Sequence, residues 1–360
     1  MPLNFSNLSY FLGKQIFSNR KLWLTIGDFE SKLIKNKFDQ KLLFQPIYIT
    51  GLARSGTTLM LENLAKVSGC TSHTYRDFPM IYTPFIWNKL LAICDKITMK
   101  NKALERSHQD GVNVTPESPE ALEEIIWESF FDDLHNESEI NILTKGHLNE
   151  AFNNFYKGHI QKLLVARSAQ RYLAKANYNI TRLEYLIDLN DSSKFIIMVR
   201  DPVMHVKSII RQDKIFSKSH SQHPKTLKFM EMSGHYEFGL NKKLINVDVD
   251  DLKLIKQKFN DNDDVYAWSL YWNMIYKYVI STIENFSTNN VMFCRYEDLC
   301  NNPGAIIDKI CDFADLSPTE IQLQEIIKNI RPLTNEHDFD DRELGVINSV
   351  TQQTAEYFGY

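Results

Sequence analysis

A short apolar run, Ile47-Tyr-Ile-Thr50, leads directly into Gly51-Leu-Ala-Arg-Ser-Gly-Thr-Thr58, and the helical pattern Leu59–Lys66 follows at once. A glycine-bounded turn between a strand and a helix points consecutive backbone N–H groups at one spot. The helix dipole adds partial positive charge there, so the turn favours a phosphate-like anion. The nucleoside triphosphate loop G-x-x-x-x-G-K-[ST] places a lysine on the β/γ-phosphates and a hydroxyl on magnesium. Here Thr57 occupies the lysine position, and the cation of the loop is Arg54. The turn is built to cradle an anion, without the usual parts for splitting ATP.

Further strands and helices alternate along the chain. Phe195–Val199 is a continuous apolar run of the kind buried on both faces of a parallel sheet, and Val291–Cys294 is a second. Strands separated by helices predict an α/β fold with a central parallel sheet. Residues 1–45 read as a helical lead-in, 151–176 as helix-rich, 211–262 as an insertion or lid, and 333–360 as a polar tail of a single domain. Ser118 and Pro119 read as the N-cap and first turn of a helix, and the acidic tracts PESPEALEE and HDFDDRE as solvated faces.

Composition narrows the function. A net charge of −4 gives no basic field for nucleic acid, so an anion site must be local. Five cysteines fit neither a disulfide framework nor a zinc pattern, which points to a reducing, cytoplasmic setting. No apolar run is long enough for an integral membrane segment, and no signal-peptide pattern is seen at the start. The carboxylates Glu297 and Asp298 lack a companion cluster at metal-ligand spacing, so no metal is expected.

A second anion site follows the run 195–199. Arg200 sits at the expected strand end, and Ser208, eight residues on, falls in the second turn of a helix starting near Pro202. A guanidinium fork and a hydroxyl can grip one phosphate beyond the carboxyl ends of the strands, where the first loop also lies. Two anion sites without the triphosphate lysine suit a nucleotide with a 5′ anhydride and a 3′-phosphate.

These residues carry a family resemblance over about 46–315. GLARSGTTLM resembles the 5′-phosphosulfate loop of sulfotransferases that use 3′-phosphoadenosine 5′-phosphosulfate (PAPS), and MVRDPVMHVKS resembles their 3′-phosphate motif. Arginine in the loop is similar to the R-S-G-T-T branch, which includes tyrosylprotein and many bacterial and carbohydrate sulfotransferases. The stretch VMFCRYEDL is similar to the part of the family near the adenine. The resemblance implies a three-layer α/β/α fold related to P-loop kinases, with PAPS as co-substrate. It implies that Arg54, Ser55, Gly56, Thr57 and Thr58 bind the 5′-phosphosulfate, Arg200 and Ser208 the 3′-phosphate, and Tyr296 the adenine. Lys175 is a further group that could face the sulfonate.

The acceptor would be a hydroxyl, of a carbohydrate or small molecule, reached through the aromatic segment 75–91 and the insertion 211–262. A general base must take its proton. By distance from the loop, Asp77 matches the glutamate of the tyrosylprotein type and His108 the histidine of the cytosolic type, and both remain open. A P-loop kinase, or a nucleotide-binding protein without chemistry, are the alternatives.

Overall fold

The computed structural model describes residues 7–38, 45–94, 104–105, 113–284, 286–287, 289–333 and 337–360. Its central sheet has five parallel strands: β1 (Ile47–Thr50), β2 (Cys70–Thr71), β3 (Arg171–Lys175), β4 (Lys194–Val199) and β5 (Val291–Arg295). Their order across the sheet is β2-β3-β1-β4-β5, so the loop strand β1 is central, and its carboxyl end faces those of β3 and β4.

Side-chain alternation builds three layers on this sheet. Ile47 and Ile49 of β1 join Ile196 and Met198 of β4 in one buried cluster, closed by Met60 and Leu64 of helix α3 (Thr57–Leu64) and by Ile307 and Ile310. Tyr48, Phe195, Ile197 and Val199 point the other way, into a larger cluster containing Trp272 and Tyr276. Each strand is thus apolar on both faces, as a parallel sheet between helical layers requires.

The other helices used below are α1 (Asn7–Ser18), α2 (Arg20–Leu33), α4 (Pro84–Cys94), α5 (Glu150–Arg167), α6 (Pro202–Gln222), α7 (Asp264–Ile283) and α8 (Asp341–Tyr357). Their starts are chemically marked. Asn149 accepts from Phe152 N at 3.0 Å to begin α5, and Asp201 accepts from Met204 N at 2.9 Å, with Pro202 in the first turn of α6. Asp340 and Glu343 form a reciprocal capping box at α8.

Several sequence expectations are corrected. The stretch 151–176 is not helix to its end, because Arg171–Lys175 is a strand inserted between β1 and β2. The helix expected from Ser118 is confined to Glu124–Trp127; Pro119 instead bridges Thr74, and the Ser118 side chain accepts from Thr115 N. The tract PESPEALEE is solvated only at its start: Glu117 is exposed, but Glu123 and Glu124 are buried, one accepting from Tyr156 and Tyr172, the other from Arg182. Residues 211–262 begin within α6 and include helices Pro224–Met232 and Val249–Asn260 and a short strand, Leu244–Asn246, paired with Glu139–Asn141. The tail 333–360 contains the docked helix α8, whose following Phe358 is buried against Tyr276 and Phe293.

Candidate active site

The loop from β1 to α3 bends through three residues with positive φ: Gly51 at +147°, Arg54 at +78° and Gly56 at +100°. Gly56 is the N-cap of α3 and supplies no side-chain cap, leaving the N–H groups of Gly56, Thr57 and Thr58 to serve a ligand, while the Ser55 N–H donates to the Leu52 carbonyl at 3.1 Å. A Cβ at Gly56 would lie 2.5 Å from Tyr296 Cδ2, so glycine lets the loop and this ring touch. The positive φ at Arg54 is costly for a side-chain-bearing residue, about 1–3 kcal/mol. Contacts at both ends of the residue hold it. Arg200 Nη1 donates to the Arg54 carbonyl at 3.2 Å, and Arg54 Nε donates to Ser208 Oγ at 3.2 Å.

The two sequence motifs therefore meet in space. Arg200 leaves β4 and lies over the Tyr296 ring, 4.9 Å from its centroid. Its Nε is buried without a protein partner, a donor of the kind that an anion would satisfy. Burial pushes the Tyr296 phenol up to about 12, so the ring stays neutral. Arg54, Ser55, Gly56, Thr57, Thr58, Arg200, Ser208 and Tyr296 belong to elements that converge here.

Sequence reasoning missed a prop beneath this loop. His205, on the first turns of α6, is buried and donates from Nε2 to the Ala53 carbonyl at 2.9 Å. Burial, with the charges of Arg200 and Arg54, pushes its pKa down to about 3. A neutral imidazole thus ties the loop to α6 without adding a third cation. Its i+5 position after Arg200 was visible, but nothing local marked its partner.

A third group adjoins the loop on the β3 side. Thr57 Oγ1 donates to Asn177 Oδ1 at 3.3 Å, and Asn177 Nδ2 donates to Glu237 Oε1 at 2.7 Å. His235 stands between two carboxylates, with Nδ1 3.8 Å from Glu237 Oε2 and Nε2 3.9 Å from Glu120 Oε1. Burial alone would raise the pKa of Glu120, but the charges of His235 and Lys175 and the Tyr75 hydroxyl bring it below the usual 4.5. Glu237 is likewise held low by His235, Lys175 and Asn177 against the cost of burial. Burial would depress His235, yet hydrogen bonding and charge from Glu237, with the charge of Glu120, lift it above 6.5. Lys175, at the end of β3, completes the cluster through its charge.

Asp77 is placed differently from a free base. It is 1% exposed, and Arg167 Nη2 donates to both its oxygens, at 2.6 and 2.7 Å. His73 and the Thr74 N–H also reach it. Burial opposes ionisation, but His73 and Arg167 bring its pKa down to about 2. This geometry makes Asp77 the anchor of the turn Tyr75–Asp77; Arg76, its neighbour, pairs instead with Glu117. His108 lies outside the described residues.

A family model described as "Sulfotransferase family" matches residues 46–239. No curated protein matches the sequence. Among solved structures, a sulfotransferase from Mycobacterium avium is 13% identical over all of this chain and 88% of its own, with a TM-score of 0.54. A sulfotransferase from Mycobacterium tuberculosis is 14% identical, covering 96% of this chain and 86% of its own, with a TM-score of 0.48. A mouse sulfotransferase complexed with PAP is 11% identical, covering 93% of this chain and 95% of its own, with a TM-score of 0.40. At these identities the first likeness bears on the fold, which is the α/β/α arrangement expected from the sequence.

Proposed function

The chain belongs to the sulfotransferase family, and we propose that it moves the sulfuryl group of PAPS to an acceptor hydroxyl by direct in-line attack. The observation that carries this reading is the 3.2 Å bond from Arg54 to Ser208, which joins the loop motif to the 3′-phosphate motif at one place. A nucleotide with phosphates at both ends fits such paired sites better than a triphosphate chain does, since Thr57 replaces the triphosphate lysine.

In this reading the N–H groups of Gly56, Thr57 and Thr58, with the Ser55, Thr57 and Thr58 hydroxyls, hold the 5′ end. Arg54 neutralises the charge that gathers on the bridging oxygen as the S–O bond breaks. Arg200 and Ser208 hold the 3′-phosphate, and Tyr296 lies along the adenine. Positioning and electrostatics supply the rate, as in phosphoryl transfer. The acceptor proton passes to His235, whose imidazolium is stabilised by Glu120 and Glu237, in the manner of a histidine oriented by a carboxylate. Lys175 and Asn177 face the sulfonate. The acceptor, a carbohydrate or small molecule, enters between the turn that carries Tyr75 and the loop that carries His235. The free thiols of Cys70, Cys294, Cys300 and Cys311 support a reducing, cytoplasmic setting. The described residues contain no helix long and apolar enough to cross a membrane.

Calorimetry tests the reading with the desulfo nucleotide 3′-phosphoadenosine 5′-phosphate (PAP) against ATP with magnesium. We expect PAP to bind, Arg200→Ala to weaken it by about 10-fold or more, and a chelator to leave both binding and transfer unchanged. Tighter binding of magnesium–ATP than of PAP would overturn the proposal in favour of a kinase.

A further inference from the structure

Helices α2 and α4 lie side by side on α5, and each turns an apolar stripe to solvent. On α2, Leu22, Phe29 and Leu33, at i, i+7 and i+11, are 58%, 59% and 58% exposed; on α4, Ile86, Leu90 and Ile93, at i, i+4 and i+7, are also exposed. Exposed apolar stripes on two adjoining helices are the kind of surface that marks an interaction site.

The stripes are held rigidly relative to one another. Glu30 of α2 accepts from the Ile86 N–H at 2.6 Å. Lys162 of α5 donates to the carbonyls of Gly27 and Tyr82, each at 2.9 Å, and lies 3.2 Å from Glu30. Lys37 and Lys89 both rest over the Phe85 ring.

The charge around the stripes is predominantly positive. Lys14, Lys21, Lys32, Lys35, Lys37 and Lys89 are exposed on α1, α2, the turn Lys35–Lys37 and α4. Among the described residues of these elements, Asp28 is the one exposed acid, while Glu30 is buried against Lys162. This basic rim belongs to a chain whose net charge is −4.

We propose that the α2–α4 face docks on the surface of an anionic lipid bilayer. The leucines, isoleucines and Phe29 enter the interface, while lysine stems lie along them and carry the ammonium groups to the headgroups. A second copy of the chain is a poorer occupant, because a two-fold contact would bring two basic rims together. The contact is peripheral and requires no spanning helix. It does not depend on the sulfuryl-transfer reading, since its readout is binding alone.

Co-sedimentation of the full chain with phosphatidylcholine vesicles, with and without phosphatidylserine, tests the proposal. We expect binding to the mixed vesicles at least about 10-fold above that to pure phosphatidylcholine, falling with added salt. Phe29→Ser with Leu90→Ser, and separately Lys32→Glu with Lys89→Glu, should each reduce it by about 10-fold. All four positions are exposed, so both variants should keep the wild-type melting midpoint, and light scattering should find a monomer. Absence of binding to anionic vesicles overturns the proposal, as does binding unchanged in either variant. A dimer dissociated by Phe29→Ser and Leu90→Ser, without vesicle binding, would assign the face to self-association instead.

Discussion

Arg54 combines an unfavourable backbone, φ +78°, with two bonds that belong to the second anion motif, one through its carbonyl and one through its guanidinium. Arg54→Gly, which lacks the Cβ that positive φ penalises, should relieve the strain and still lose the charge at the breaking bond. Turnover should fall by about 10²–10³ while the melting midpoint holds or rises; equal turnover in mutant and wild type would remove Arg54 from the chemistry. His235 makes a different claim. As a base it works only when neutral, and its pKa lies above 6.5, so kcat should fall as pH drops through that raised value. A limb below 4.5, surviving in His235→Asn, would move the role to Glu120. Asp77 predicts a stability effect. Its folded pKa of about 2 is below its ordinary 3.8, so its contribution is present above 3.8 and lost as pH falls towards 2. That shift corresponds to about 2 kcal/mol. Asp77→Asn takes from Arg167 its carboxylate partner, leaving it the neutral acceptors of Thr71, Ser72, Thr74 and Asn88, and should destabilise by about 3 kcal/mol in denaturant titration, with activity following the folded fraction. A fully stable but inactive variant would restore Asp77 as the base.

At the scale of elements, what the sequence revealed was local chemistry. β1, the loop and α3 are contiguous, and β4 runs straight into Arg200 and α6, so both anion motifs could be read without knowing the fold. What stayed hidden depends on distant partners. β3 reads RYLAK, charged at both ends, and follows α5 almost directly; it becomes a strand because it pairs with β1 on one side and β2 on the other. Glu123 and Glu124 look solvated until Tyr156, Tyr172 and Arg182 fold over them. The cluster of Glu120, Asn177, His235 and Glu237 draws on three separated segments, and no motif spacing announces it. Burial of Glu124 beneath Arg182 implies a specific cost. Arg182→Met should leave the buried Glu124 carboxylate with His135 as its one remaining side-chain partner among the described residues and lower stability by about 3 kcal/mol in denaturant titration, whereas an exposed ion pair such as Lys253–Asp250 should matter little.

The whole molecule closes on itself at the far end of the chain. α8 packs along α7, and Phe358 reaches Tyr276 and Phe293 with ring centroids 5.6 and 5.0 Å away. Tyr276 in turn donates to the Met198 carbonyl at 2.9 Å, near the end of β4. The last residue continues the path: the Tyr360 hydroxyl donates to Glu297, whose other oxygen accepts from the Asp201 N–H at 3.2 Å. Asp201 is the N-cap of α6, which carries His205 and Ser208 into the site. The tail is thus part of the scaffold that fixes the second anion motif, and two substitutions separate its two roles. Phe358→Ala removes a buried ring and should cost about 3–5 kcal/mol of stability. Tyr360→Phe keeps the ring over Arg295 but loses the hydroxyl, so the melting midpoint should move little. Glu297 would then hold Asp201 less firmly, and PAP affinity should drop by about 5-fold, the equivalent of one hydrogen bond. Calorimetry on both variants decides the matter: unchanged PAP affinity in Tyr360→Phe would confine the tail to stability.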